Sequence, residues 1–393
     1  MRNRMITLLL CICSLAALFG CAVPEEHRFI NPTESVEWEP TEPPATKPAA
    51  SAPAETQAPH LTAEDMARRL SDRDLVAQLF LIRCPGSETE ALLKEYHVGG
   101  IILFASDTDG ETPDSLKKKL SSWQEHSPIP LIVAVDEEGD TVVRLSSNKN
   151  FRSERFPAPK DVYYEGGLDA LRAIETEKAE LLKRCGINVN LAPVCDVVSD
   201  EAAFMASRSL FQTAKTTGKA VATMVKTMQK NGVGAVLKHF PGYGNLPDDT
   251  HTGKVVDDRS LEFLWEYDLV PFAAGIDAGA KAVMVGHSIV NALDTAHPAS
   301  LSAPVHELLR NELDFDGVIM TDDLMMSAVS DVYESGEAAV QALLAGNDLL
   351  ITSWSERQFE AIYDALQDGR LSREALEACA ARIIQWKMDL GLL

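Results

Sequence analysis

Val98-Gly-Gly-Ile-Ile-Leu-Phe104 is the stretch that decides the fold. Successive side chains of a strand point to opposite faces, so a run without polar alternation leaves no face for water. Such strands belong to parallel sheets covered on both sides. Leu131-Ile-Val-Ala-Val135 reads the same way. Working outward, apolar runs of strand length recur at 78–83, 98–104, 130–135, 187–194, 233–237, 281–286, 317–321 and 347–352. Helical patterns lie between many of them, at 113–125, 168–184, 214–230 and 357–366. Two helix-start signals, Thr62-Ala-Glu-Asp65 and Ser71-Asp-Arg-Asp74, open the series. Eight βα units over about 330 residues predict an α/β fold of the (β/α)8 TIM type. It would form a single catalytic domain over 61–393. A doubly wound open sheet is the alternative, but no Gly-rich phosphate turn follows the first strand.

The composition suits one large core: 46% of the 393 residues are hydrophobic and 24% charged. Disorder along the whole length and a disulfide-stapled miniprotein are both excluded. Lys and Arg number 36 against 59 Asp and Glu, a formal charge of −23. So acidic a chain, with no local basic stripe, repels phosphate backbones, and nucleic acid is not expected as a partner.

Residues 1–20 differ from the rest. Arg2 and Arg4 precede an apolar run of signal-peptide length, which ends in Leu18-Phe19-Gly20-Cys21. That ending resembles the lipobox of bacterial lipoproteins and implies lipidation of Cys21. Losing the two Arg with the leader would take the charge from −23 to −25. A plain signal peptide is the alternative. Residues 22–60 hold eight of the chain's twenty Pro and read as a spacer spanning up to roughly 100 Å. The expectation is therefore an exported protein on the outer face of the bacterial membrane, with lipid as its sole membrane attachment. The Cys lie at 11, 13, 21, 84, 185, 195 and 379, with no CxxC pair or zinc-finger spacing. Cys84, Cys185, Cys195 and Cys379 are expected as buried thiols, with no metal or cofactor. An exported setting permits disulfides among them, but the spacing indicates no pairing.

A barrel keeps its active site at the C-terminal ends of its strands. The polar groups expected there are Asp136 to Arg144 after strand three, Asn190 to Asp196 and Ser207-Arg208-Ser209 after strand four, Lys238 to His251 after strand five, His287 after strand six, and Asp322-Asp323 after strand seven. In the fifth group, an Asp two residues before a His can hold the imidazole in one tautomer, pairing Asp249 with His251. Asp322 should point into the mouth, while Asp323 is the better candidate to cap the next helix.

These residues carry a resemblance. Lys238-His-Phe-Pro-Gly, Asp249-Thr-His251, Asp136-x-Glu-Gly with Arg144, Asn190-Leu-Ala-Pro-Val-x-Asp196 and Thr321-Asp-Asp-Leu-Met look like family-3 glycoside hydrolases of the bacterial β-N-acetylhexosaminidase branch. The five motifs occur in the family's order across roughly residues 64–390. The resemblance implies a retaining glycosidase with Asp322 as nucleophile, His251 as acid/base and Asp249 as its partner. It further implies that Asp136, Arg144, Arg208, Lys238 and His239 hold an N-acetylglucosamine ring at the end of a cell-wall glycan. A histidine base would add no second negative charge beside the incoming nucleophile, which leaves phosphorolysis open. Two departures bear on geometry: Asp140 stands where the family usually has Gly, and Tyr243 where many members have His. They predict a stiffer or re-aimed loop and an altered lining, respectively.

Other readings are a β-glucosidase or phosphorylase on the same scaffold, a metal hydrolase using His239, His251 and Asp322, and a non-catalytic cell-wall-binding lipoprotein. The metal hydrolase lacks a His-x-His pair at the first strand's end. The binding protein predicts loss of Asp322, Asp249 or His251, yet all three stand.

Overall fold

Both all-apolar runs are strands without a single exposed residue, Gly100–Leu103 and Ile132–Val135. Their burial follows from the topology around them. The computed structural model describes residues 61–83 and 86–393. The leader 1–20, the Pro-rich stretch 21–60 with Cys21, and Cys84 lie outside the described residues.

We number the barrel strands β1 Phe80–Arg83, β2 Gly100–Leu103, β3 Ile132–Val135, β4 Val189–Asn190, β5 Gly234–Phe240, β6 Ala282–Val285, β7 Val318–Thr321 and β8 Leu350–Ser353. Among the described residues these eight form one all-parallel sheet in the order β8-β1-β2-β3-β4-β5-β6-β7. The two ends meet through a single bridge between Met320 and Leu349. There the amides of Asp348 and Leu349 both donate to the Ile319 carbonyl, at 2.7 and 3.2 Å. The ring is a TIM-type barrel.

Each expected run overlaps one strand, and β8 ends one residue beyond its run, at Ser353. The longest, β5, continues past its expected end to Phe240, with a register shift against β6 between Leu237 and Phe240. Lys238 and His239 are therefore part of the ring itself. Gly99 is required by close approach: a Cβ there would lie 2.1 Å from the Gln78 carbonyl oxygen.

The helices follow their sequence signals closely. Pro113–Gln124 starts behind a Thr112 capping box, Ala214–Lys230 behind a Thr213 cap, and Glu356–Gln367 matches within a residue. The helix expected at 168–184 begins earlier, at Pro159, and is broken at Gly166-Gly167, where the backbone leaves helical angles. Thr62 and Asp65 cap each other, and Ser71 accepts the Asp74 amide.

The entry to the barrel is at its N-terminal face. Helix Ala63–Arg68 packs on the last helix, Arg373–Asp389. Arg373 pairs with Asp72 and donates to the Leu70 carbonyl at 2.7 Å. Glu64 lines a cleft with Lys281 and Gly317, at the lower ends of β6 and β7, and with Trp386 of the last helix. Cys185, Cys195 and Cys379 are free thiols, and burial pushes Cys185 up to about 12. No described helix is long and apolar enough to cross a membrane.

Candidate active site

The C-terminal ends of the strands enclose a cavity of about 300 Å3. Its wall takes Arg83 from β1, Phe104 after β2, Asp136 and Arg144 after β3, Arg208 after β4, Lys238 and His239 from β5, and Asp322 and Asp323 after β7. His251 reaches it from the segment after β5. Seven of the eight residues expected to act on substrate thus face one space. The eighth, Asp249, stands behind His251.

The floor is a buried chain of opposite charges. Lys238 Nζ lies 2.7 Å from Asp136 Oδ1 and 2.6 Å from Glu138 Oε1. Glu138 also accepts from Arg208 twice, from Nε at 2.9 Å and Nη2 at 2.6 Å. Burial would raise the Glu138 carboxyl, but Arg208 and Lys238 outweigh it and hold Glu138 well below the usual carboxylate range. Burial likewise opposes charge on Lys238, yet Asp136 and Glu138 hold its ammonium above its ordinary value.

His239 continues the chain. Asp196 Oδ2 accepts from Nδ1 at 2.9 Å, and the Arg208 Nη2 donor faces Nε2 at 3.3 Å. Arginine can only donate, so this network fixes the ring's tautomer. A charge-paired cluster built this way keeps its side chains in place, because stripping one partner strands a buried ion.

The backbone of the loop after β3 is fastened by residues with no part in the lining. Glu137, fully buried, accepts the amides of Arg144 and Leu145 at 2.9 and 2.8 Å. Asn190 accepts the Glu137 amide at 3.0 Å and donates to its carbonyl at 3.1 Å. Asp140 sits at φ +52°, the left-handed region that Gly enters freely and Asp tolerates. Its amide donates to the Phe156 carbonyl at 2.7 Å. The turn therefore adopts a glycine-like conformation despite the Cβ.

Asp322 lies half-buried beneath the mouth. Burial pushes its carboxyl up, but His287, His239, the Asp323 amide and Lys238 together hold it below the usual range. One of its own oxygens accepts the Asp323 amide at 2.8 Å. The neighbouring His287 is buried and its imidazolium disfavoured, chiefly by desolvation. Its Nε2 must donate to the Asp323 carbonyl at 3.0 Å, which leaves Nδ1 to accept from Ser300 Oγ at 2.7 Å. His287 thereby pins the backbone that presents Asp322.

Asp323 departs from its expected capping role. Its carboxylate accepts the Met325 amide at 2.9 Å and closes a turn, while the helix begins later, at Ser327.

His251 is different in kind. Its side chain is 59% exposed, and its Nδ1 lies 2.6 Å from Asp249 Oδ1, which also accepts the His251 amide at 2.9 Å. Nδ1–H toward Asp249 leaves Nε2 free for the cavity. Tyr243 does not alter the lining as expected, because it is buried outside the cavity and staples the loop from behind. Its hydroxyl donates to the Asp248 carbonyl at 2.9 Å and accepts the Thr250 amide at 3.0 Å. Its own amide donates to Asp196 at 2.6 Å. Burial pushes the phenol up to about 12, so the hydroxyl keeps its proton. Gly242, at φ +127°, packs so closely on Asp268 that a Cβ would lie 2.5 Å away.

Glu138, Asp196, His287 and Tyr243 fall within the stretches expected at the rim, but none was expected to hold or position the catalytic and sugar-binding groups. Glu138 was within reach, as the Glu of Asp136-x-Glu-Gly, and so was Asp196 at the end of its own motif. A metal reading would need His239, His251 and Asp322 to converge, yet no group of three metal-ligating side chains among the described residues is placed to hold an ion.

Comparison with known proteins follows the same lines. The family model for the glycosyl hydrolase family 3 N-terminal domain matches residues 72–386. Beta-hexosaminidase LpqI of Mycobacterium tuberculosis is 32% identical over 331 residues, 81% of this chain and 83% of that protein. A beta-hexosaminidase of Nitrosomonas eutropha is 33% identical over 65% of this chain and 73% of its own. Among solved structures, a family-3 β-N-acetylglucosaminidase from a Paenibacillus species matches with TM-score 0.78 at 31% identity, covering 82% of this chain and 63% of that one. The M. tuberculosis LpqI structure matches with TM-score 0.74 at 29% identity, over 82% and 95%.

Proposed function

The chain belongs to glycosyl hydrolase family 3 and is a glycoside hydrolase; we propose that it is a retaining β-N-acetylhexosaminidase removing terminal β-linked N-acetylglucosamine from cell-wall glycan. One observation carries the proposal. A single cavity holds a half-buried, ionised carboxylate, Asp322, together with a histidine whose far nitrogen is free and a floor of charged donors and acceptors.

The chemistry follows from that arrangement. Asp136, Arg144, Arg208, Lys238 and His239 bind sugar hydroxyls and orient the anomeric carbon. The depressed carboxyl of Asp322 is ionised at neutral pH and attacks that carbon. His251, as imidazolium, gives its Nε2 proton to the leaving oxygen while Asp249 steadies Nδ1–H. A glycosyl-enzyme ester on Asp322 results. In the second step Nε2 takes a proton from water, which attacks the same carbon and frees Asp322. Because His251 must be charged in one step and uncharged in the other, the rate should show a bell-shaped pH profile with one limb set by an imidazole.

The test is release of p-nitrophenol from N-acetyl-β-glucosaminide and from β-glucoside, with and without phosphate. Release from the acetamido sugar that Asp322→Ala abolishes supports the proposal. Preference for the glucoside replaces the specificity, and phosphate-dependent release replaces hydrolysis with phosphorolysis. No release from any sugar by a folded protein points to a binding role.

We further propose an exported, Cys21-lipidated form on the outer face of the membrane, supported by the Arg2 to Cys21 pattern. Cys21→Ser should move the protein from the membrane fraction to the medium, and retention in the membrane fraction would refute the anchor.

A further inference from the structure

The segment that carries Asp249 and His251 leaves the barrel after Phe240, the last residue of β5, and rejoins regular structure at the short strand Val256–Asp257. One side chain ties its start to its end. Arg259 Nη2 donates to the Gly242 carbonyl at 3.0 Å. A Cβ on Gly244 would lie 2.1 Å from Arg259 Nη1, so the guanidinium rests directly on the loop backbone. Among the described residues, no other side chain hydrogen-bonds across this neck.

Arg259 is itself held from several sides. Asp257 accepts from Nε at 2.8 Å and from Nη2 at 2.6 Å, and Asp268 accepts from Nη1 at 2.8 Å. The Phe263 ring centroid lies 5.5 Å from the guanidinium carbon. Both carboxylates are buried and belong to regular elements. Val256–Asp257 pairs in parallel with Ile289–Val290, and Asp268 precedes the helix Leu269–Asp277, which packs on Ala214–Lys230. Burial pushes the Asp268 carboxyl up to about 7, with Arg259 pulling the other way, and its Oδ1 is buried without a partner. The cluster therefore turns on the one guanidinium.

A guanidinium carries a planar fork of donors, so one side chain can serve a carbonyl and two carboxylates in fixed directions. Arg259 does not line the cavity, and any effect on the reaction must pass through the loop. Closing a neck removes freedom from everything strung between its ends. Between these ends lie the Tyr243 hydroxyl that brackets Asp249, Asp249 itself and His251. Further along, the Thr250 carbonyl accepts the Ala328 amide at 3.1 Å.

We propose that Arg259 is a positioning residue for the acid/base, which clasps the neck of the loop and so sets the reach of His251 Nε2 to the leaving oxygen. The inference rests on the proposed role of His251 and adds a residue that never meets the substrate.

The experiment uses the purified full chain and two substrates, a methoxyphenyl and a dinitrophenyl N-acetyl-β-glucosaminide. The first leaving group needs the proton from His251 and the second does not, while kcat/KM reports glycosyl-enzyme formation for both. In Arg259→Met the ratio of kcat/KM, methoxyphenyl over dinitrophenyl, should fall about 10- to 100-fold, the cost of misplacing a reacting group by about 1 Å. Because that variant strands two buried acids, Arg259→Lys is the second: it keeps a charge between Asp257 and Asp268 but lacks the fork that reaches Gly242. Its ratio should fall about 3- to 10-fold, the worth of one ordinary hydrogen bond, with Tm close to wild type. General damage to the barrel lowers both rates together and leaves the ratio alone. A ratio at the wild-type value in every variant that folds overturns the proposal.

Amide hydrogen exchange reads the clasp without turnover. Peptides covering 241–252 should exchange faster in Arg259→Lys than in wild type, while those from β5 and from 269–277 stay protected. If no form cleaves either glucosaminide, the hexosaminidase proposal falls alone. Faster exchange in 241–252 then upholds the clasp on the loop, and unchanged exchange overturns it as well.

Discussion

The floor of the cavity and the His251 loop are neighbours built on opposite principles. Lys238, Glu138 and Asp196 expose 2% or less of their side chains, sit on or just beyond strand ends, and are locked by charge. His251 is 59% exposed and sits on irregular backbone between β5 and Val256. Groups that orient a sugar need fixed positions, and a strand end inside a paired network provides them. A group that is to deliver a proton and later collect one needs access to solvent, and the exposed His251 side chain has it although Tyr243 holds the backbone on either side. On the proposed mechanism, the contrast places charge-locked groups under the sugar and a solvent-accessible one over its leaving oxygen.

The largest expected effect tests the floor side. Asp322→Ala should lower turnover on the order of 10⁴-fold or more with every leaving group, since no covalent step remains. His251→Ala should behave differently. Its loss should be on the order of 10² to 10⁴-fold on poor leaving groups. The rate of glycosyl-enzyme formation should recover toward wild type with a dinitrophenyl leaving group, which needs no proton. Equal losses across leaving groups would break the assignment of proton transfer to the loop.

Glu138→Gln should act on stability before chemistry, costing about 3–5 kcal/mol at neutral pH because Arg208 loses its carboxylate. The depressed Glu138 carboxyl contributes stability above its unfolded value, about 4.3, and that stability is lost as pH falls through the lower folded value. Urea unfolding should therefore show a gap between wild type and variant at pH 7 that narrows below about pH 4. A gap that widens in acid would overturn the charge reading.

The smallest expected effect belongs to Tyr243→Phe. It removes the hydroxyl that brackets Asp249 and should slow poor leaving groups about 3- to 10-fold, sparing good ones. A uniform loss would make Tyr243 a floor residue in its effect.

The sequence made the ring legible because β2 and β3 are buried on both faces, so their composition carries the signal with no partner in view. Helix ends were legible for a similar local reason, as at Thr112 and Thr213. Interactions between distant residues were not. Glu138 looks like one more acid in a run of acids until Arg208, 70 residues away, is folded against it. His287 reads as a strand-end histidine, and only the Asp323 carbonyl and Ser300 hydroxyl show that it supports the backbone behind Asp322. Tyr243 looked like a lining residue because its neighbours are, yet its side chain turns away toward Asp248 and Thr250. The extension of β5 through Lys238-His239 was hidden by charge, which ordinarily ends a buried strand.

The helix Ala63–Arg68 lies on the face where the strands begin, clasped by Arg373, while the cavity opens where they end. Any tether joined at Leu61 departs from the underside of the barrel. In the proposed anchored form, the point of attachment and the opening of the cavity therefore lie on opposite faces of the barrel, and the chain before Leu61 does not start beside the mouth.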